Sequence, residues 1–265
     1  MNDQLHVEHN GDITVLTIDR PERRNALHQA LWHGLRDSVR ALSEAPPRVL
    51  VVTGSGGHFC SGMDLRMDNP LLARIVAPLG EGDEDALRSI IEELKACLQP
   101  LVDLPCPVIA AIEGSCFGAG LELALCADLR VAATSAKLSL PETRFGMVPD
   151  VGGSTRLSRL VGVARAAELI LTAGQIDAAA AERWGLVNRL APDGQALKVA
   201  LDMAENIVAC APTATREALG VLRQINAVDD AASFGNETAA GARALLSGEI
   251  MEGAMAFAQR REPQW

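Results

Sequence analysis

Glu122 stands in the run LELALCA (121–127), which is apolar at every other position. Carboxylates are almost never buried without a partner or a chemical task. Glu122 is therefore the first residue whose chemistry needs an account. Just before it, Gly118-Ala119-Gly120 makes a small-residue turn. Such a turn leaves unpaired backbone N–H groups at the start of the next helix, where negative charge is favoured. Glu142 follows Pro141, and Asp150 comes eight residues later, just ahead of Gly152-Gly153. A second stretch, GSGGHFCSGMDL, carries glycines at 54, 56, 57 and 62 that let the backbone approach a ligand closely. Together these residues permit proton transfer between carboxyl groups in different protonation states, with backbone amides holding a developing negative charge. Each also has a purely structural reading. Glu122 could reach water, Glu142 could start an exposed turn, the glycine loop could be solvated, and Asp150 could cap the helix that begins near Gly152.

The surrounding elements follow from pattern. Pro107–Ile112 and Leu129–Ala133 are short, branched, apolar runs of strand length. HVEHNGDITVLTID holds an Asn10-Gly11 turn between alternating runs, a β-hairpin signal. A helix is expected from about His28 to Glu44, stopped by Pro46-Pro47, and RVLVVTG (48–54) is another buried strand. The repeated order of strand, helix and strand points to an α/β layered domain. Residues 66–84 are punctuated by proline and glycine and are expected to form an irregular, mobile lid. A helix from about Glu84 to Leu98 follows, with Ile90, Ile91, Leu94 and Leu98 read as core positions and not as a binding surface. Beyond residue 160 come short helices in ARAAELILTAG and DAAAAERWG, a strand in LVNRL, and helices at about 194–210, 212–226 and 230–246. With no linker, repeat or low-complexity run, the chain reads as one domain: a core over 1–195 and a helical C-terminal extension over 196–265.

Composition narrows the class. A hydrophobic content of 48% is ample for a core in a chain of 265 residues. No apolar run reaches the ~18 residues of a membrane span, and MNDQLHVEHNGD is polar and acidic, unlike a signal or transit peptide. A cytoplasmic protein is expected, with no membrane partner. The six cysteines show no CxxC and no metal-type spacing with the five histidines, so reduced thiols and no metal site are expected. A formal charge of −10 argues against nucleic acid as a partner. It also means that an anionic ligand must be met locally, by a few arginines.

RPERRNAL (20–27), HFCSGMDL (58–65), PVIAAIEGSCFGAGLELALCAD (107–128), LPETRFGMVPDVGGSTRL (140–157) and WGLVNRL (184–190) occur in the order found in the crotonase, or enoyl-CoA hydratase/isomerase, superfamily, which the chain resembles over most of its length. The resemblance implies a spiral of ββα units with a helical C-terminal trimerisation region, hence a homotrimer or a hexamer. It also implies an acyl-CoA thioester substrate, with CoA entering as part of the substrate and no separate cofactor. The amides of Met63 and Ala119 would form an oxyanion hole; the family often has glycine at the Ala119 position, but a backbone donor tolerates alanine if its φ is negative. Glu122 and Glu142 stand where the hydratases carry their catalytic glutamates. Glu122, near a helix N-terminus and ionised, would activate water, and protonated Glu142 would deliver the α-proton, or the roles could be exchanged. For CoA, the resemblance points to Arg23, Arg24 and Arg66 for phosphate, to the backbone of Ser61, Gly62, Met63, Asp64 and Leu65 for adenine and pantetheine, and to Ala26 and Leu27 as a pantetheine wall. Each arginine could equally be a solvated surface charge. Phe257 and Arg260 would come from an adjacent subunit. The implied activity is hydration of a trans-2-enoyl-CoA to a 3-hydroxyacyl-CoA. One alternative is a double-bond isomerase that uses Asp150, and the other is a non-catalytic acyl-CoA-binding protein.

Overall fold

The computed structural model describes residues 3–225 and 230–265. Alternating runs on either side of Gly11 close the first hairpin. Strand β1 (Leu5–Asn10) pairs antiparallel with β2 (Ile13–Ile18), Asn10 opposite Ile13, and Gly11 takes φ 62° at the first central turn position. A 3-10 turn at Pro21–Arg23 leads to α1 (Gln29–Glu44) and β3 (Val49–Gly54). Next come α2 (Pro70–Glu81), α3 (Glu84–Asp103), β4 (Val108–Ile112), β5 (Ser115–Phe117), α4 (Ala119–Ala124), β6 (Leu129–Ala133) and β7 (Lys137–Ser139). A second 3-10 turn, Glu142–Phe145, precedes α5 (Gly153–Val161), α6 (Val163–Leu171), β8 (Gln175–Asp177), α7 (Ala178–Arg183) and β9 (Arg189–Ala191). Helices α8 (Ala196–Val208), α9 (Pro212–Gln224), α10 (Asp230–Leu246) and α11 (Glu249–Gln259) complete the chain.

The main sheet runs β1-β2-β3-β4-β6-β9, parallel except for the hairpin, and a smaller sheet runs β5-β7-β8. Residues 49–53 of β3 and all five of β4 are buried, as parallel strands covered on both faces must be. Helix α8 covers this sheet through Ala196, Ala200, Met203 and Ala204. Helix α1 buries Leu31, Trp32, Leu35, Val39 and Leu42 at helical spacing and packs along α3.

Several segments depart from expectation. Residues 66–84 are not irregular: Asn69 caps α2 by accepting the Leu71 amide at 3.2 Å, Pro70 fills its first turn, and Gly82 ends it in the left-handed region. The prolines and glycines that suggested a loop mark the ends of this helix, while Pro78 lies inside it. Helix α3 continues to Asp103, through Pro100. Strands β5, β7 and β8 and helix α11 have no counterpart in the sequence expectations; the three strands are three residues long each and exist through their pairing with one another. The expected end of a helix at residue 226 lies outside the described residues. All six cysteines are free thiols and all but Cys210 are buried. No helix among the described residues is long and apolar enough to cross a membrane.

Candidate active site

Two loops meet beside β5. Cys60 pairs with Cys116 across an isolated parallel bridge, in which the Cys60 amide donates to Ser115 O at 3.0 Å and the Phe117 amide to Cys60 O at 3.0 Å. The chain then turns at Gly62 (φ 96°) and at Gly118 (φ 52°). A Cβ on Gly62 would stand 2.7 Å from Phe117 O and 3.4 Å from Ala119 N, so only glycine allows the loops to approach this closely. The residue after each glycine, Met63 and Ala119, lies in the wall of one cavity of about 430 Å³. Neither amide donates to a protein acceptor among the described residues. Ala119 does not have a positive φ, which is the condition for alanine to serve there.

Helix α4 carries Glu122 into this wall at 2% exposure. Its Oε1 accepts the amides of Val151 (3.0 Å) and Gly153 (2.8 Å) at the start of α5. Burial nevertheless dominates and pushes its pKa up to about 8, helped by the charges of Glu142 and Asp150 and opposed by the two amides. The expectation that a helix N-terminus would leave Glu122 ionised is therefore corrected: desolvation outweighs it. Burial also raises Glu142 to about 7, with Asp150 adding to the shift. Glu142 lies against the turn that presents Ala119, its Oε1 2.9 Å from where a Gly118 Cβ would stand. Its Oε2 is buried without a hydrogen-bond partner, an arrangement that favours the neutral acid.

Asp150 is half-buried in the same wall, and burial raises its pKa against the pull of Lys95. It does not cap α5, whose N-cap is Gly152 with no side-chain hydrogen bond. The structure thus brings Met63, Ala119, Glu122, Glu142 and Asp150 to one cavity.

The expected CoA contacts divide. Ser61, Gly62, Met63 and Leu65 line the cavity. Asp64 does not: the residue is buried and its carboxylate is turned away, accepting Arg20 Nη1 at 2.7 Å and the Arg66 amide at 3.2 Å. Leu27 has no exposed surface and Ala26 very little, and neither lines the cavity. Arg23 and Arg24 are exposed beside Ser61, whose hydroxyl donates to Arg23 O and whose amide donates to Arg24 O. Arg66 is exposed and paired with Asp68 at 2.5 Å. Arg260 is exposed just after α11, and the Phe257 side chain lies outside the described residues.

The rest of the wall is largely apolar and includes Trp32 from α1, Ile75 from α2, and Leu87, Ile90, Ile91 and Leu94 from α3. This corrects the reading of Ile90, Ile91 and Leu94 as core only. One face of α3 serves both core and cavity, and helical spacing cannot separate the two. Asn25 was also missed as a support. Fully buried at φ 58°, it accepts the Arg20 amide and donates to Ser55 O (2.9 Å) and His58 O (2.7 Å), tying RPERRNAL to the glycine loop. Its place in RPERRNAL, just ahead of the first long helix, was its sequence signal. No group of three or more His, Cys, Asp or Glu side chains among the described residues could hold a metal ion.

A site of this kind suits acid–base chemistry on a substrate whose oxygen gains negative charge. A profile of the enoyl-CoA hydratase/isomerase family matches residues 8–265. Enoyl-CoA hydratase EchA19 of Mycobacterium tuberculosis is 34% identical over 260 residues, covering 98% of this chain and 95% of that protein. The mitochondrial methylglutaconyl-CoA hydratase of Rattus norvegicus is 34% identical over 273 residues, covering 99% and 83%. A crystal structure of enoyl-CoA hydratase from Bacillus anthracis superposes with a TM-score of 0.89 at 32% identity, over 99% of each chain. The chain belongs to the enoyl-CoA hydratase/isomerase family and has its crotonase-like fold.

Proposed function

We propose that this protein is an enoyl-CoA hydratase that adds water to a trans-2-enoyl-CoA to give the 3-hydroxyacyl-CoA. The observation that carries the reading is the convergence of two unpaired amides, Met63 and Ala119, with two carboxyls of raised pKa, Glu122 and Glu142. The amides would take up charge that builds on the thioester oxygen as water attacks. Between them the two glutamates would remove a proton from water and supply one to the α-carbon, which requires one ionised and one neutral at a time. Three carboxyls and no lysine or arginine among the described residues line the cavity, and the rest of its lining is largely apolar, which fits an uncharged hydrocarbon acyl group. CoA itself would be met at the cavity mouth by Ser61, Leu65 and the exposed Arg23, Arg24 and Arg66. The exposed Leu222, Leu245, Leu246, Ile250 and Met251 on α9–α11 support burial against further copies in a homotrimer or hexamer. We assign the protein to the cytoplasm.

The test is purified protein with crotonyl-CoA, following loss of the conjugated enoyl-thioester absorbance and formation of 3-hydroxybutyryl-CoA. No turnover would exclude the hydratase reading. A second reading, a double-bond isomerase, is favoured by one observation: Asp150 is in the cavity wall and is not a helix cap. Conversion of a 3-enoyl-CoA or a 3,5-dienoyl-CoA without hydration would select it.

A further inference from the structure

Met63 is held in place from behind. The Leu27 amide donates to Gly62 O at 2.8 Å and the Asp64 amide donates to Leu27 O at 3.0 Å, so the groups on either side of Met63 both face Leu27. In extended chain successive amides point to opposite sides, which turns the Met63 N–H away from Leu27 and toward the cavity. Arg20 locks the same pairing a second time. Its Nη1 donates to Ala26 O at 2.9 Å and to Asp64 Oδ2 at 2.7 Å, bridging the residue before Leu27 to the residue after Met63. The two side chains are 11% and 6% exposed, and neither Arg20 nor Asp64 lines the catalytic cavity. Asn69 adds a third tie, donating to Asp64 O at 2.6 Å.

We propose that Arg20 and Asp64 are positioning residues: their buried ion pair aims the Met63 amide at the thioester oxygen. This rests on the proposed role of Met63 in an oxyanion hole and holds for hydration and isomerisation alike. It gives RPERRNAL a function beyond the helix it introduces.

The experiment compares wild-type with Arg20→Lys, which keeps the charge but loses the longer, rigid guanidinium whose Nη1 makes both contacts, and with the double variant Arg20→Met/Asp64→Leu, which leaves no lone buried charge to explain a loss. Three readouts are taken on the full chain: kcat and KM for crotonyl-CoA, the enolate absorbance of bound acetoacetyl-CoA, and the Kd of saturated butyryl-CoA. Loss of one oxyanion donor typically costs about 100- to 1,000-fold, so a misaimed one should lower kcat by about 10- to 100-fold. KM and the butyryl-CoA Kd should stay within about threefold, and the enolate signal should fall with kcat. Wild-type kcat and enolate signal in folded Arg20→Lys would overturn the proposal. So would joint loss of kcat and butyryl-CoA binding, which would mean general collapse of the loop. A wild-type protein that forms the enolate but hydrates nothing would overturn the hydratase reading, and the enolate comparison would still decide this one. A wild-type protein that forms no enolate would overturn the positioning role itself.

Discussion

The Oε1 atom of Glu122 lies 2.8 Å from the amide nitrogen of Gly153, the first residue of α5. A Cβ at Gly153 would stand 2.8 Å from that oxygen, 2.9 Å from Glu122 Cγ and 2.9 Å from Pro149 Cβ. Glycine is needed here for space and not for backbone conformation, because Gly153 does not have a positive φ. Gly153→Ala should therefore push the carboxyl out of position. A displacement of that size is expected to lower kcat by about 100-fold, and overpacking should cost roughly 1–3 kcal/mol of stability. Steady-state kinetics together with a urea titration separate the two effects. An unchanged kcat in a destabilised protein would mean that the exact position of Glu122 does not matter to the reaction.

Replacing each glutamate isolates the proton transfers. In Glu122→Gln the side-chain amide keeps an oxygen to accept the Val151 and Gly153 amides, so the fold should be preserved while the titratable group is removed. Glu142→Gln is similarly conservative in shape. Each is expected to lower kcat by about 100- to 10,000-fold, with butyryl-CoA binding retained. Isothermal titration beside the enoyl-CoA assay checks both halves. Full turnover in either variant would remove that glutamate from the mechanism, and full turnover in both would return the protein to an acyl-CoA-binding role without glutamate catalysis.

The same two groups should make stability depend on pH in an unusual direction. Burial raises Glu122 from 4.5 to about 8 and Glu142 from 4.5 to about 7. The folded state then binds more protons than the unfolded chain between those values. Their contribution is fully present below about pH 4.5 and is lost as pH rises through 7 and 8. Because the pair interacts, the loss should appear as one broad change on the order of a few kcal/mol. Urea midpoints measured from pH 5 to 9 (a window set by these pKa values) should fall with pH in wild-type, and the slope should flatten in Glu122→Gln. An equal slope in the variant would mean that Glu122 titrates as an ordinary exposed carboxyl.

Most of the architecture was legible because period and punctuation agree with it. Asn10-Gly11 between alternating runs can hardly be anything but a hairpin, and the branched runs that became β3, β4 and β6 have the composition of doubly covered strands. Glu122 was legible for the opposite reason: it breaks an apolar pattern that offers it no polar face. Helix α2 was not, because Pro70 and Gly82 serve as helix ends only when Asn69 is seen capping it. The apolar lining was hidden in plain hydrophobicity, since Ile90 and Leu94 are buried like core residues and also line the cavity. Arg20 and Asp64 stand 44 residues apart, and nothing local to either one announces the other.

Asp150 decides between the two reactions, and its surroundings fix what its removal should do. It does not cap α5, so Asp150→Asn should not show the loss of about 1 kcal/mol that removing an N-cap costs. Its negative charge contributes to the raised pKa of both Glu122 and Glu142. Removing that charge should make both glutamates easier to ionise and move the pH profile of kcat/KM toward lower pH. If the protein is a hydratase, turnover of crotonyl-CoA should survive with this shifted profile. If it is an isomerase in which Asp150 moves the proton, conversion of a 3,5-dienoyl-CoA should fall by about 100-fold or more, the usual scale for a lost general base. Running both substrates over the same pH range with wild-type and Asp150→Asn tells a charge that tunes the glutamates from a base that acts on the substrate. A profile that does not move for either substrate would show that Asp150 does neither.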